Sequence, residues 1–220
     1  MRARILPLLA VAACLLAACA QGDPNTGPSS DGQSGQPTTC QYNVSGQAAK
    51  PVDPPPVADI PTSGLTTVTL RLSQGPVTIE LDRGHAPCAV NSFLSLLQQG
   101  YYTDTTCHRV TTNGIFVLQC GDPSATGRGG PGYSYADEVY SDDSYPAGTV
   151  AMANAGPDTN GSQFFLVYLD SPLNPDYTVL GHMDAASTTL VAGIGAQGTV
   201  EGDADGAPKQ TVAIEGYSMG

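Results

Sequence analysis

Tryptophan is missing from the 220 residues, phenylalanine occurs four times, and basic side chains are scarce: eight Lys and Arg stand against 20 Asp and Glu, a formal charge of −12. A surface this acidic is repelled by phosphate backbones and anionic headgroups, which argues against nucleic acid and an anionic membrane surface as partners. Three histidines and no Cys-x-x-Cys pair leave no ligand spacing for zinc. Large apolar side chains are nearly absent from Ala20 to Gly64, a stretch of Gly, Pro, Ser, Thr and Gln that cannot bury enough surface to offset its own ordering entropy. It reads as a flexible tether, stiffened near its end by Lys50-Pro51-Val52-Asp53-Pro54-Pro55-Pro56.

Ahead of the tether, residues 1–19 read as a secretion signal: Arg2 and Arg4 make a basic start, Ile5 to Ala18 is uncharged and apolar, and small residues precede Cys19. That run is short of the roughly 20 residues a membrane span needs. Leu16-Ala17-Ala18-Cys19 resembles the bacterial lipobox, which implies cleavage before Cys19 and lipidation of its thiol; Val11-Ala12-Ala13-Cys14 fits less well because it would halve the apolar run. The expectation is a chain outside the cytoplasm, lipid-anchored to the bacterial cell membrane or, if Cys19 is incidental, secreted. Residues 65–220 are then long enough for one domain with its own core.

Within that domain Val68, Leu70 and Leu72 alternate with Thr67, Thr69 and Arg71, and after Ser73-Gln74-Gly75 the alternation resumes through Val77, Ile79 and Leu81, the period of a half-buried hairpin. Pro87 opens a helix with apolar positions Val90, Phe93, Leu94, Leu96 and Leu97, and Gly100 stops it. Asn113-Gly114 is a hairpin turn between His108–Val110 and Ile115–Gln119. Residues 121–147 form a long polar loop, Asp184 caps a helix from Ala185 to about Ile194, and Gln210 to Tyr217 is a closing strand. Cys40, Cys88, Cys107 and Cys120 are an even set in an exported chain, so disulfides are expected. A two-residue turn at Asn113-Gly114 sets Cys107 opposite Cys120, whereas a three-residue loop puts them on opposite faces; the three full pairings stay open.

Arg109 is an unusual strand residue in so acidic a chain, and alone it reads as an ion-pair partner. Its company reads otherwise: Cys107-His108-Arg109-Val110, then Phe116-Val117-Leu118-Gln119-Cys120-Gly121-Asp122, then "MANAGPDTNGSQFF" over 152–165. This set, in this order, resembles the cyclophilin family of peptidyl-prolyl cis-trans isomerases, closely in the last string and more weakly from Val68 to about Gly181. The resemblance implies a mainly β fold, an eight-stranded antiparallel closed β-barrel capped by two α-helices. Such a barrel has room for little but its own side chains, so a peptide site lies on its outer surface. The resemblance also implies rotation about X-Pro bonds with neither cofactor nor metal, Arg109, Gln119 and Phe116 acting on the bond and Val117, Ala153, Asn154, Gln163, Phe165, Leu173 and Tyr177 holding the peptide. The implied partners are proline-containing peptides and unfolded exported proteins. The competing reading is a non-catalytic proline-peptide-binding or chaperone-like module at the cell surface; a mere binder needs the apolar pocket but not the Arg109–Gln119 pair.

The chain departs from the family pattern in four places. The Arg109 to Phe116 interval is two residues longer than in the best-known members, Val117 stands where Met is usual, and Tyr177 stands where His is frequent. Pro172 replaces the Trp of members that bind cyclosporin well, so weak cyclosporin binding is expected. His108 is a packing and hydrogen-bonding residue in this reading, and His85 and His182 belong to the surface or turns.

Overall fold

The computed structural model describes residues 35–220. The signal, the Cys19 lipidation site and tether residues 20–34 lie outside the described residues. In chain order the elements are β1 (Asn43–Val44), β2 (Leu65–Leu72), β3 (Gly75–Asp82), α1 (Pro87–Gln98), β4 (Thr105–Thr106), β5 (Arg109–Thr111), β6 (Val117–Cys120), β7 (Tyr133–Ser134), β8 (Thr149–Met152), β9 (Phe164–Val167), β10 (Val179–Met183), α2 (Ala185–Gly195), β11 (Asp205–Gly206) and β12 (Ala213–Met219). Ten of the strands form one antiparallel sheet in the order β11-β5-β6-β9-β8-β10-β3-β2-β12-β4, and β1 pairs with β7 separately.

The mainly β character and the two helices are as expected; the closed eight-stranded barrel is not what the ladder shows. β4 stands at one end of the order and β5 next to the other, yet only Cys107 and His108 separate them in sequence. The sheet must therefore curl until its ends approach. It stays open as a ladder because those two residues face opposite ways: the Cys107 N–H donates to Val212 and the His108 N–H to Gln119.

Local chemistry explains the elements. The β2–β3 hairpin pairs Val68 with Ile79 and Leu70 with Val77, all fully buried. Pro87 supplies the preset φ that opens α1, and the Asp184 carboxylate accepts from the Ser187 N–H at 2.7 Å to cap α2. Gly181, mid-sheet with φ 154°, lies so close to the Glu80 carbonyl that a Cβ would collide with it. With no Trp and few Phe, tyrosines supply most of the core's aromatic side chains: Tyr102 donates to the Ser162 carbonyl at 2.9 Å and Tyr133 shares 2.8 Å with Ser92, while the buried Tyr135 hydroxyl has no partner among the described residues.

The tether reading fails from residue 35 onward. Residues 35–64 form a strap bound to the domain: Cys40 is bridged to Cys88, β1 pairs with β7, and Lys50 Nζ donates to the Gly100 and Thr103 carbonyls at 2.7 and 2.8 Å. The second disulfide joins Cys107 and Cys120. It forms although the hairpin register alone sets the two cysteines on opposite faces. Arg109 pairs with Gln119 and Asn113 bridges Ile115, the register of an odd loop. His108 is an extra residue that also bonds Gln119, and this bulge turns Cys107 back to the face of Cys120.

Candidate active site

Strand register builds the site. Arg109 faces Gln119, Gln119 faces Phe165 and Phe165 faces Ala151, so one row of side chains crosses β5, β6, β9 and β8 on the outer face. The matching inner row, Val110, Leu118, Leu166 and Val150, is fully buried in the main core. Alternation thus lets one short sequence serve both sides of the sheet.

On the outer face Val117, Ala151, Phe165, Val167, Val179 and Tyr145 form a separate apolar cluster, against which Ile115, Ala153, Leu173 and Tyr177 pack. It floors a cleft of about 160 Å³ lined by Arg109, Ile115, Val117, Gln119, Ala153, Asn154, Phe165, Leu173 and Tyr177. Phe165 and Tyr177 meet edge to face at 5.4 Å, and the Tyr177 N–H donates to the Tyr145 hydroxyl at 2.9 Å, which fixes that wall. The Asn154 side chain is tied down by the Asp176 carbonyl at 2.8 Å. Gln163 lies just outside, between this cleft and an adjoining hollow of about 560 Å³ whose walls include Ser45 and Gln47 of the strap.

Phe116 is the exception among the expected site residues. It packs edge-on against Tyr168, 6.0 Å between ring centres, on the main-core side, and lines a different hollow. Phe116 immediately precedes β6, and the alternation of an extended backbone sends it to the main-core side while Val117 joins the outer cluster. Ile115, two residues before Val117, takes the place in the cleft that was assigned to Phe116.

A relay of hydrogen bonds holds the polar rim. Arg109 NH1 donates to Gln119 Oε1 at 3.0 Å, Gln119 Nε2 to Gln163 Oε1 at 2.8 Å, and Gln163 Nε2 to the Gly129 carbonyl at 3.0 Å. Arg109 also donates Nε and NH2 to the two carboxylate oxygens of Asp205, both at 2.7 Å. That contact raises the guanidinium further above its ordinary range and holds the Asp205 carboxyl below the usual one. Sequence reasoning missed Asp205 because it sits in a run of Gly, Asp and Ala that carries no pattern. The Gly129 end of the relay is fixed by Asp122, whose buried carboxylate accepts from Ser124 Oγ at 2.6 Å and from the Gly129 N–H at 2.9 Å. Gly121, at φ 91°, lets the loop start against the Ser162 carbonyl, where any Cβ would clash.

His108 contributes packing only. Both ring nitrogens are buried without a hydrogen-bond partner among the described residues, and burial lowers its pKa, so the ring is neutral. No cluster of three metal-ligating side chains occurs among the described residues.

An apolar cleft with a fixed guanidinium at its rim, open on the outer face of a curled sheet, defines the class by its geometry. The family described as cyclophilin type peptidyl-prolyl cis-trans isomerase/CLD matches residues 67–219, and the chain belongs to it. It is 44% identical over 204 residues to a probable peptidyl-prolyl cis-trans isomerase B of Mycobacterium leprae, covering 84% of this chain and 69% of that one. A protein of the same description from Mycobacterium tuberculosis is 45% identical over 190 residues, 80% of this chain and 62% of the relative's length. Among solved structures, a cyclophilin type peptidyl-prolyl cis-trans isomerase of Cryptosporidium parvum superposes with a TM-score of 0.63 at 31% identity, over 71% of this chain and 98% of that one. The same protein determined in the presence of the dipeptide Ala-Pro gives 0.62 at 31% identity, over 70% and 98% of the two chains.

Proposed function

We propose that this chain isomerises X-Pro bonds of exported proteins by stabilising the twisted amide through Arg109. Resonance gives the peptide bond a rotation barrier of about 18–20 kcal/mol, and uncatalysed exchange takes tens of seconds. In the twisted state the prolyl nitrogen recovers its lone pair and accepts a hydrogen bond it cannot accept when planar. A donor aimed there stabilises the transition state over both isomers. Phe165, Val117 and Leu173 hold the ring, Ala153 and Tyr177 complete the walls, the Asn154 backbone pairs with the substrate chain, and Gln163 contacts the carbonyl side. The observation that carries the reading is the guanidinium fork, held by Gln119 at the rim of the apolar cleft. Lipidation at Cys19 would keep the enzyme outside the cytoplasm and at the membrane, where newly exported chains fold.

The test is cis-trans exchange of an Ala-Pro peptide measured by NMR with the full chain. Faster exchange supports the enzyme, and binding without acceleration leaves a proline-peptide-binding module. No step moves a proton, the Arg109 guanidinium stays charged and His108, held below its ordinary range by burial, stays neutral above about pH 7.5, so kcat/KM should be flat from there to about pH 9. A bell-shaped profile would instead reveal acid–base chemistry. Pro172 is exposed beside Leu173 and offers no indole donor. Cyclosporin should therefore bind weakly, and Pro172→Trp should tighten it by roughly tenfold, the worth of one good hydrogen bond; calorimetric titration of both forms decides it.

A further inference from the structure

Arg109 has five N–H donors, and three of them are engaged by side chains: one by Gln119 and two, on Nε and NH2, by Asp205. The Asp205 contact is two-pointed, with both distances 2.7 Å. Its geometry is set from the backbone. β11 pairs with β5, Asp205 opposite Thr111 and Gly206 opposite Val110. The Thr112 N–H donates to the Ala204 carbonyl at 2.8 Å, and Thr199 Oγ1 to the Asp203 carbonyl at 2.7 Å. The loop after α2 thus delivers one carboxylate to one edge of the guanidinium.

Stability does not account for this arrangement. The Asp205 side chain is 55% and the Arg109 side chain 37% exposed, and ion pairs open to solvent contribute little to folding. Orientation does account for it. A solvent-facing Arg has several rotatable bonds and a wide choice of rotamers, and a single acceptor such as Gln119 leaves the plane of the fork free to swing. A second, two-point contact on the opposite edge removes that freedom, and one N–H on each terminal nitrogen stays unclaimed by Gln119 and Asp205.

Resting on the isomerase reading, we infer that Asp205 is a positioning residue of the site, one that fixes the Arg109 guanidinium in the plane from which its remaining donors reach the prolyl nitrogen. It touches no substrate, and its effect passes through Arg109. The carboxylate also offsets part of the guanidinium charge. The inference is that orientation gains more than this charge compensation loses.

The experiment measures kcat and KM separately on the full chain with an Ala-Pro peptide, for Asp205→Ala, Asp205→Glu, Arg109→Ala and the Arg109→Ala/Asp205→Ala pair. It adds the 1H–15N signal of the Arg109 Nε–H in the absence of peptide. Asp205→Ala is expected to lower kcat by about tenfold with KM within twofold, the size of a coupling between contacting side chains. Asp205→Glu should recover part of the loss, and Asp205→Ala should change nothing further once Arg109 is gone. The Nε–H signal, sharp in the parent, should broaden or vanish in Asp205→Ala. Unchanged kcat in Asp205→Ala would overturn the inference and leave the isomerase reading intact. Raised kcat would show a brake instead, and an equal loss with and without Arg109 would assign Asp205 to the fold. If the unmutated chain accelerates nothing, the isomerase reading falls and takes the inference with it, whatever the Nε–H signal shows.

Discussion

Arg109→Ala should reduce kcat/KM for an Ala-Pro peptide by about 10²- to 10³-fold while leaving the melting temperature within a few degrees of the parent. The activity term follows from the chemistry. A single preorganised donor aimed at the atom where charge or a lone pair develops typically accounts for about 3–4 kcal/mol of barrier, and among the described residues no other charged side chain lines the cleft. The stability term follows from exposure: the Arg109–Asp205 pair is open to solvent, and such pairs are worth about 0–1 kcal/mol. Arg109→Lys keeps the charge but not the fork, and one ammonium cannot meet Gln119, Asp205 and the substrate together, so it should fall between. NMR exchange rates at saturating and subsaturating peptide, with a thermal melt of each variant, check all three statements. A variant that keeps more than half the parent rate would sink the transition-state role and hand the groove to simple binding.

The residues that govern this prediction were partly readable in advance, and the reason is distance along the chain. Where the physics is local, sequence suffices: the alternation of Val68, Leu70 and Leu72, the Pro87 helix start and the Asp184 cap each depend on neighbours within a few residues, and all lie where expected. The outer-face row also follows from alternation once β5, β6 and β9 are aligned through a recognisable string. What failed was the fine register. The bulge at His108 is decided by Val212 and Gln119, which claim the two residues before Arg109 from opposite sides, and nothing in Cys107-His108 announces it. Phe116 was misplaced because a family likeness carries residue identities but not the pleat that turns them. Asp205 was invisible because its role exists only where β11 meets β5, 96 residues from Arg109 in sequence.

The strap departs furthest from what its composition implies, and it carries the second large effect: Cys40→Ser/Cys88→Ser, made in the full chain, should melt roughly 8–16 °C below the parent. Composition correctly says that this stretch has no core of its own. It omits that the stretch can borrow one. Tyr42 sets its ring 5.5 Å from both Tyr133 and Tyr135 and donates its hydroxyl to the Cys88 carbonyl at 2.8 Å, while Asn91 Nδ2 reaches back to Tyr42 and to the Pro56 carbonyl. The Cys40–Cys88 bridge spans a sequence separation of 48, and a loop of that size is worth about 4 kcal/mol by the chain-entropy argument. For a domain of this length each kcal/mol moves the midpoint by about 2–4 °C, so the bridge alone accounts for the stated shift. A chain beginning at Leu65 loses the bridge, the tyrosine contacts and the backbone pairs together with the strap's own ordering cost, and should also melt below the parent. Activity should respond through KM. The strap's Ser45 and Ala49 N–H groups bond the Gly132 and Gly130 carbonyls, beside the Gly129 carbonyl that ends the Arg109–Gln119–Gln163 relay, so its removal loosens the groove wall more than the guanidinium. Equal melting temperatures for the cut and uncut chains would mean that the strap lies on the domain without holding it, and that the isomerase unit begins at the first long strand.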